Sequence, residues 1–245
     1  MNHFHLIGVI DLFRGCAVHA RGGRRAEYRP VETANGVAIG GDAVALARLY
    51  RRQLGLEEIY VADLDAIEGG TPQDALVASI RQLGITIWLD AGITSVAQAQ
   101  RAHAAGASSV IVGLETLQSF DQLADICSTV GGDRVVFSLD LRGGVPVTAA
   151  GTTMSTQSAV EVAASAAGAG VGRLIVLDLE RVGMRSGLDV ELLGAIRRAV
   201  PGLAVFAGGG VRGPSDLLQL ADIGCDGALV ATALHSGTID PRARR

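Results

Sequence analysis

Short apolar runs alternate along this chain with longer stretches in which apolar residues recur every three or four positions. The runs fall at residues 4–10, 58–63, 86–90, 109–113, 134–140, 173–178, 204–207 and 227–230. Most are continuously apolar rather than alternating, the pattern of parallel strands covered on both faces. Between them the helical period predicts helices over residues 42–54, 72–83, 95–105, 118–128, 156–167, 188–200 and 214–221. Eight strands with seven helices between them in 245 residues match the order and length of a (β/α)8 TIM barrel, so the predicted fold class is α/β and the predicted domain is a single one, 1–245. A doubly wound open sheet would usually show fewer strands and a glycine fingerprint after the first, and none is present. Beyond Val230 there is room for a short helical turn; the tail, residues 237–245, is expected to fray.

The pattern also repeats. Val9-Ile10-Asp11-Leu12, with Arg14-Gly15 behind it, is matched by Ser138-Leu139-Asp140-Leu141 with Arg142-Gly143. Val61-Ala62-Asp63 is matched by Val176-Leu177-Asp178. The step from Gly92 to Gly106 equals that from Gly210 to Gly224, and the step from Gly106 to Gly113 equals that from Gly224 to Ala231. Matches in one order along the chain predict two duplicated half-barrels, about 1–128 and 129–236.

Composition narrows the function. Apolar residues make up 49% of the chain, enough for a large core, and aromatics only 4%, so that core must be aliphatic. A net charge of −4 argues against a nucleic-acid partner, and no apolar run is long enough to span a membrane. The first residues carry no basic segment followed by a long apolar one, so a cytoplasmic protein is expected. Cys16, Cys127 and Cys225 are too far apart for a metal-binding spacing and read as reduced thiols. His3, His5, His103 and His235 form no metal-ligand pattern either, so no metal is expected. The chain contains no lysine, which excludes Schiff-base catalysis, because arginine does not lose its proton in practice.

The chemistry is expected at the C-terminal ends of the strands. Asp11 and Asp140 fall there, at equivalent points of the two halves, and are the candidate acid–base pair. Asp63 and Asp178 are candidate substrate-binding residues, and Asp90 ends the third run as well. The glycine loops are candidate phosphate cradles, since backbone N–H groups can approach an anion closely where no side chain intervenes. One comprises Gly209 and Gly210 with Ala231 and Thr232; the repeat predicts a second at Gly92 and Gly113. Two cradles would suit an elongated ligand with a phosphate at each end. His19, in the first long loop, is a further candidate contact, and Arg24, Arg25, Arg29 and Arg212 are possible anion ligands.

These motifs resemble the HisA/HisF family of histidine biosynthesis along essentially the whole chain. The resemblance is carried by Val9-Ile10-Asp11-Leu12 with Gly15, Tyr28-Arg29-Pro30, Asp63-Leu64-Asp65-Ala66, Phe137-Ser138-Leu139-Asp140-Leu141-Arg142-Gly143-Gly144 and Ala207-Gly208-Gly209-Gly210. The forms around Asp11 and Asp140 are closer to the HisA isomerase than to the HisF cyclase. The resemblance implies an Amadori rearrangement of a bisphosphate aminoaldose, with Asp11 and Asp140 as acid and base and no cofactor. Several positions depart from the family pattern. Leu177 stands where HisA has a catalytic threonine, Val182-Gly183-Met184 replaces Asp-Gly-Thr, and Ala150-Gly151-Thr152-Thr153 replaces a Gly-Trp loop. His19 replaces the basic residue of the first loop, and Asp90-Ala91-Gly92 replaces a triple glycine. The departures suit a HisA/HisF-related paralogue, whether of a one-carbon or pterin cofactor pathway or a non-catalytic phospho-ligand-binding barrel.

Overall fold

The computed structural model describes residues 4–20, 27–149, 151–184 and 187–244. Arg24, Arg25 and Ala150 lie outside the described residues. Eight parallel strands form the barrel: β1 (His5–Phe13), β2 (Glu58–Asp63), β3 (Thr86–Asp90), β4 (Ser109–Gly113), β5 (Val135–Arg142), β6 (Arg173–Asp178), β7 (Ala204–Gly208) and β8 (Gly227–Val230). Each pairs with the next, and β8 closes on β1 through His5↔Gly227, Leu6↔Ala228, Ile7↔Leu229 and Gly8↔Val230. The outer helices are α1 (Ala43–Arg48), α2 (Asp74–Arg81), α3 (Val96–Ala105), α4 (Phe120–Val130), α5 (Ala159–Gly168), α6 (Val190–Ala199) and α7 (Pro214–Asp222). Asp42, Ser95, Ser119, Ser158 and Asp189 cap α1, α3, α4, α5 and α6 by accepting from first-turn N–H groups. No helix among the described residues is long and apolar enough to cross a membrane.

Two apolar layers result from the two-residue period of the strands. One lies between the barrel and its helices and includes Val61, Val110, Leu139, Val176 and Val205. The other fills the barrel, where each strand contributes one side chain: Ile7, Tyr60, Trp88, Ile111, Val136, Ile175, Phe206 and Leu229. Below them Glu58 accepts from Trp88 Nε1 at 3.3 Å and Arg173 donates to Ser109 Oγ at 3.3 Å, so the floor is polar but internally bonded. The outer layer is mostly aliphatic but also buries Tyr50 and Phe137, and the interior gathers Tyr60, Trp88 and Phe206, so the aromatics, though few, are concentrated in the core.

The first and fifth strands run further than their apolar runs predict, and both continue into antiparallel arms. β1 pairs with Cys16–His19 across the turn Arg14-Gly15, and β5 pairs with Val145–Pro146 across Gly143-Gly144. The turn residues have φ of 50° and 81° in the first and 58° and 82° in the second, the double positive φ of a type I′ hairpin. Asp11 and Asp140 therefore lie inside their strands, held by ladder bonds on both sides. As far as Arg242 the tail is tied down rather than frayed: Ile239 is buried, its N–H bonds Ala233 O, and Arg242 donates to Arg52 O.

Candidate active site

Strand parity decides which acidic residues reach the barrel mouth. Side chains two apart share a face. Counting up from Ile7 and Val136 inside the barrel, the same inward face carries Val9 and Asp11 on β1, and Ser138 and Asp140 on β5. On β3 it carries Trp88 and then Asp90. These residues converge on a cavity of about 430 Å³ at the C-terminal end of the strands. Its wall includes Asp11, Tyr60, Asp90, Glu115 and Asp140 along the arc from β1 to β5, and Leu177, Gly209, Gly210, Ala231 and Thr232 along the arc from β6 back to β8.

Both members of the expected acid–base pair are perturbed as such chemistry requires. Asp11 is pushed up to about 7, first by burial and then by the neighbouring Asp90 carboxyl; a hydrogen bond from the Ala20 N–H acts in the opposite sense. Asp140 is driven well above the usual carboxylate range by burial, with Glu115 and Asp90 adding to the effect. The Ser138 hydroxyl donates to Asp140 Oδ1 at 2.9 Å and partly offsets it. Asp90 accepts from the Tyr60 hydroxyl at 2.9 Å and from the Gly92 N–H at 3.2 Å. Burial does most of this, and three carboxyl groups in one pocket add to it, so near neutral pH Asp140 keeps its proton and Asp11 is only partly ionised.

The other sequence-designated residues divide sharply. Gly209, Gly210, Ala231, Thr232 and His19 are on the cavity wall. Gly209 and Gly210 have φ of 80° and 95°, and a Cβ there would lie 2.4 Å from Asp178 O and 2.5 Å from Gly187 O. No other residue type fits that backbone. His19 packs edge-on against His235, with ring centroids 5.0 Å apart, and burial lowers its pKa. His235 is bonded through Nε2 to the Tyr50 hydroxyl at 2.6 Å, and burial with His19 beside it brings its pKa down to about 4.

Asp63 and Asp178 are not on this wall. Both occupy the outward parity of their strands, one residue past the inward-facing Ala62 and Leu177. Asp63 is buried and accepts from the N–H of Gln73 at 2.7 Å and of Ala66 at 3.2 Å, which ties down the loop after β2. Asp178 pairs with Arg181 at 2.8 Å. Gly92 and Gly113 are off the wall as well: a Cβ on Gly92 would meet the Ile67 backbone at 3.0 Å, and one on Gly113 would lie 3.6 Å from Asp140 Oδ2. Arg29 donates to the Tyr28 carbonyl, and Arg212 pairs with Asp216 at 2.7 Å; neither is on the wall. Tyr60, Glu115 and His235 are wall residues that the sequence motifs did not single out. Parity would have found Tyr60, while Glu115 and His235 lie in a loop and a helical turn where no strand period applies. Among the described residues, no group of three or more His, Cys, Asp or Glu side chains is arranged to hold a metal ion.

The chain matches the family described as "Histidine biosynthesis protein" over residues 5–240. It is also similar to proteins named 1-(5-phosphoribosyl)-5-{(5-phosphoribosylamino)methylideneamino} imidazole-4-carboxamide isomerase. That of Thermus thermophilus is 33% identical over 235 residues, covering 96% of this chain and 95% of the relative. That of Roseiflexus castenholzii is 32% identical over 205 residues, covering 83% and 85%. That of Granulibacter bethesdensis is 30% identical over 243 residues, covering 98% and 96%.

Proposed function

Because this chain belongs to the histidine biosynthesis protein family, we propose that it is an aldose–ketose isomerase acting on a phosphorylated aminosugar. The observation that carries the proposal is the pair Asp11 and Asp140. They share the inward face of two strands on opposite sides of one cavity, and both are held partly or wholly protonated near neutral pH. The names of the relatives, which describe a phosphoribosylamino isomerase, agree with this reading. The matching hairpins behind the two aspartates support a duplication of half-barrels as the origin of the pair.

The two carboxyls divide the work by their surroundings. Asp140 is buried, with Glu115 and Asp90 beside it, and keeps its proton, so it acts as the acid toward the ring oxygen of the aminoaldose. Protonation there breaks the bond from that oxygen to the first carbon, and the nitrogen lone pair forms the iminium. Asp11, near half-ionised at neutral pH with the Ala20 N–H supporting its anion, takes the proton from the second carbon. The resulting enaminol regains a proton at the first carbon and loses one from the second hydroxyl, giving the aminoketose. The second carbon is oxidised and the first reduced within one molecule, so no external redox cofactor is required. Gly209, Gly210, Ala231 and Thr232, in the loops after β7 and β8, provide the phosphate anchor.

The test is conversion of the relatives' carboxamide substrate to its ketose, followed by NMR. Asp11→Asn and Asp140→Asn are each expected to lower turnover by at least about a thousandfold, the loss typical of an essential acid or base. Full activity in either variant would end the assignment. A second reading, binding without turnover, is favoured by one feature: among the described residues the wall at β6 is built from Leu177, Leu179 and Val182, which carry no hydroxyl. Tight binding of the substrate with no ketose formed would select that reading.

A further inference from the structure

We propose that Asp65 and Gln73 are positioning residues for this site: they clamp the turn of the hairpin that leaves β1 and so hold its returning arm, residues 16–20, against Asp11. The inference rests on the reading of Asp11 as the base and adds the residues that keep its surroundings in place.

The arm is part of the site. Val18, His19 and Ala20 are on the cavity wall, and the Ala20 N–H donates to the Asp11 carboxyl. The arm pairs with β1 through Asp11↔Val18, Leu12↔Ala17 and Phe13↔Cys16 alone. Beyond Leu12, whose ladder partner on β2 is Asp63, the hairpin projects past the barrel. A two-stranded ribbon is marginally stable by itself and twists more than a wider sheet, so its register does not fix its direction. Ala17 bonds Gly41 O and accepts from the Val31 N–H, which ties the middle of the arm.

The turn is tied by side chains of the loop after β2. The Arg14 N–H donates to Asp65 Oδ2 at 2.8 Å, and the Gly15 N–H donates to Gln73 Oε1 at 3.0 Å. Gln73 is itself immobilised. Its backbone N–H donates to Asp63 Oδ2 at 2.7 Å and its side-chain NH2 to Asp63 Oδ1 at 3.2 Å. With the NH2 on that carboxylate, the amide oxygen is the end turned toward Gly15. The turn also needs holding. The β5 hairpin has glycine at both turn positions, whereas the β1 turn has Arg14 at a φ of 50°, a conformation that disfavours a residue with a Cβ. A bond from its N–H to a carboxylate is of the stronger, charge-assisted kind. Neither Asp65 nor Gln73 is on the cavity wall, so each acts on the site through the arm.

The experiment follows the Ala20 amide of the nitrogen-15-labelled full chain by NMR from pH of about 5 to about 9, across the titration of its acceptor. Asp11 is faced by Asp90 from β3, Tyr60 from β2 and Tyr50 from the segment Leu49–Gln53, and all three stay in place in the variants. In the wild type the Ala20 shift is expected to move with Asp11, and in Asp11→Asn to stand still. Asp65→Ala and Gln73→Ala are each expected to cut that movement by about half or more and kcat by about tenfold, as a displaced contact to a reacting group does. Asp65→Asn keeps an acceptor oxygen for the Arg14 N–H and should stay within about twofold of the wild type in both readouts. Gln73→Ala keeps the backbone bond to Asp63, so it tests the clamp even where Asp65→Ala does not fold. A full Ala20 titration in the alanine variants would overturn the inference, because lost stability alone leaves the folded molecules titrating as before. So would an Ala20 amide that does not titrate in the wild type, an unchanged kcat beside a reduced titration, or an Asp65→Asn variant as impaired as Asp65→Ala. A wild type that forms no ketose but whose Ala20 titration depends on the clamp would support the inference and end the isomerase reading.

Discussion

Replacing Asp11 by asparagine should make the protein more stable as well as inactive, and the gain should depend on pH in a defined way. Burial and the Asp90 carboxyl lift the Asp11 pKa from the ordinary 3.8 to about 7. A gap of about three pH units, at 1.36 kcal/mol for each, sets a ceiling of about 4 kcal/mol. The carboxyl faces a water-accessible cavity, which brings the expected value down to about 2 kcal/mol. Below pH of about 4, Asp11 is neutral in the folded and unfolded chains alike, and its raised pKa costs nothing. Between about 4 and 7 the unfolded chain releases the proton while the folded chain retains it, so wild-type stability falls as pH rises. Above about 8 both forms are ionised and the loss is complete. Asparagine does not titrate, and its side-chain oxygen can still accept from the Ala20 N–H. Urea unfolding of both proteins at pH of about 4.5, 6 and 8 should give a difference that grows across the window and then levels. A difference independent of pH, or a variant less stable than the wild type at pH of about 8, would refute the reasoning.

The activity should mirror this titration. With Asp11 as base, kcat/KM should rise about tenfold per pH unit below about 7 and then level, and a flat profile from pH of about 5 to 8 would count against that role. Gly210→Ala places a Cβ against Gly187 O at a φ of 95°, so it should cost about 1–3 kcal/mol in thermal melts and raise KM; an unchanged KM would remove the phosphate role from that turn. Leu177→Thr puts a hydroxyl on the β6 wall and should raise turnover of the carboxamide substrate by about tenfold, within the range of a single positioned polar group. No gain would show that the apolar wall does not limit the reaction. Tyr50→Phe removes the hydroxyl that joins Val9 O at 3.1 Å to His235 Nε2 at 2.6 Å and should cost about 1–3 kcal/mol; an unshifted melting temperature would show that the bridge carries no stability.

The sequence by itself determined the barrel. Eight apolar runs separated by helical periods admit few other closures, because parallel strands must be covered on both faces and right-handed crossovers order them. It also marked Asp11 and Asp140 at matching points of two similar motifs, and the glycines after β7, where Gly209 and Gly210 occupy a backbone that only glycine adopts. The tertiary structure decided which equivalent-looking residues share a space. Asp11 and Asp63 look alike as strand-ending acids, yet one strand position separates inward from outward, and the apolar runs of β1 and β5 stop short of the hairpins that extend those strands. The matched steps to Gly92 and Gly210 look symmetric along the chain. Only folding brings Asp90 and Glu115 beside Asp140 in one cavity, because charge acts through space and not along the sequence.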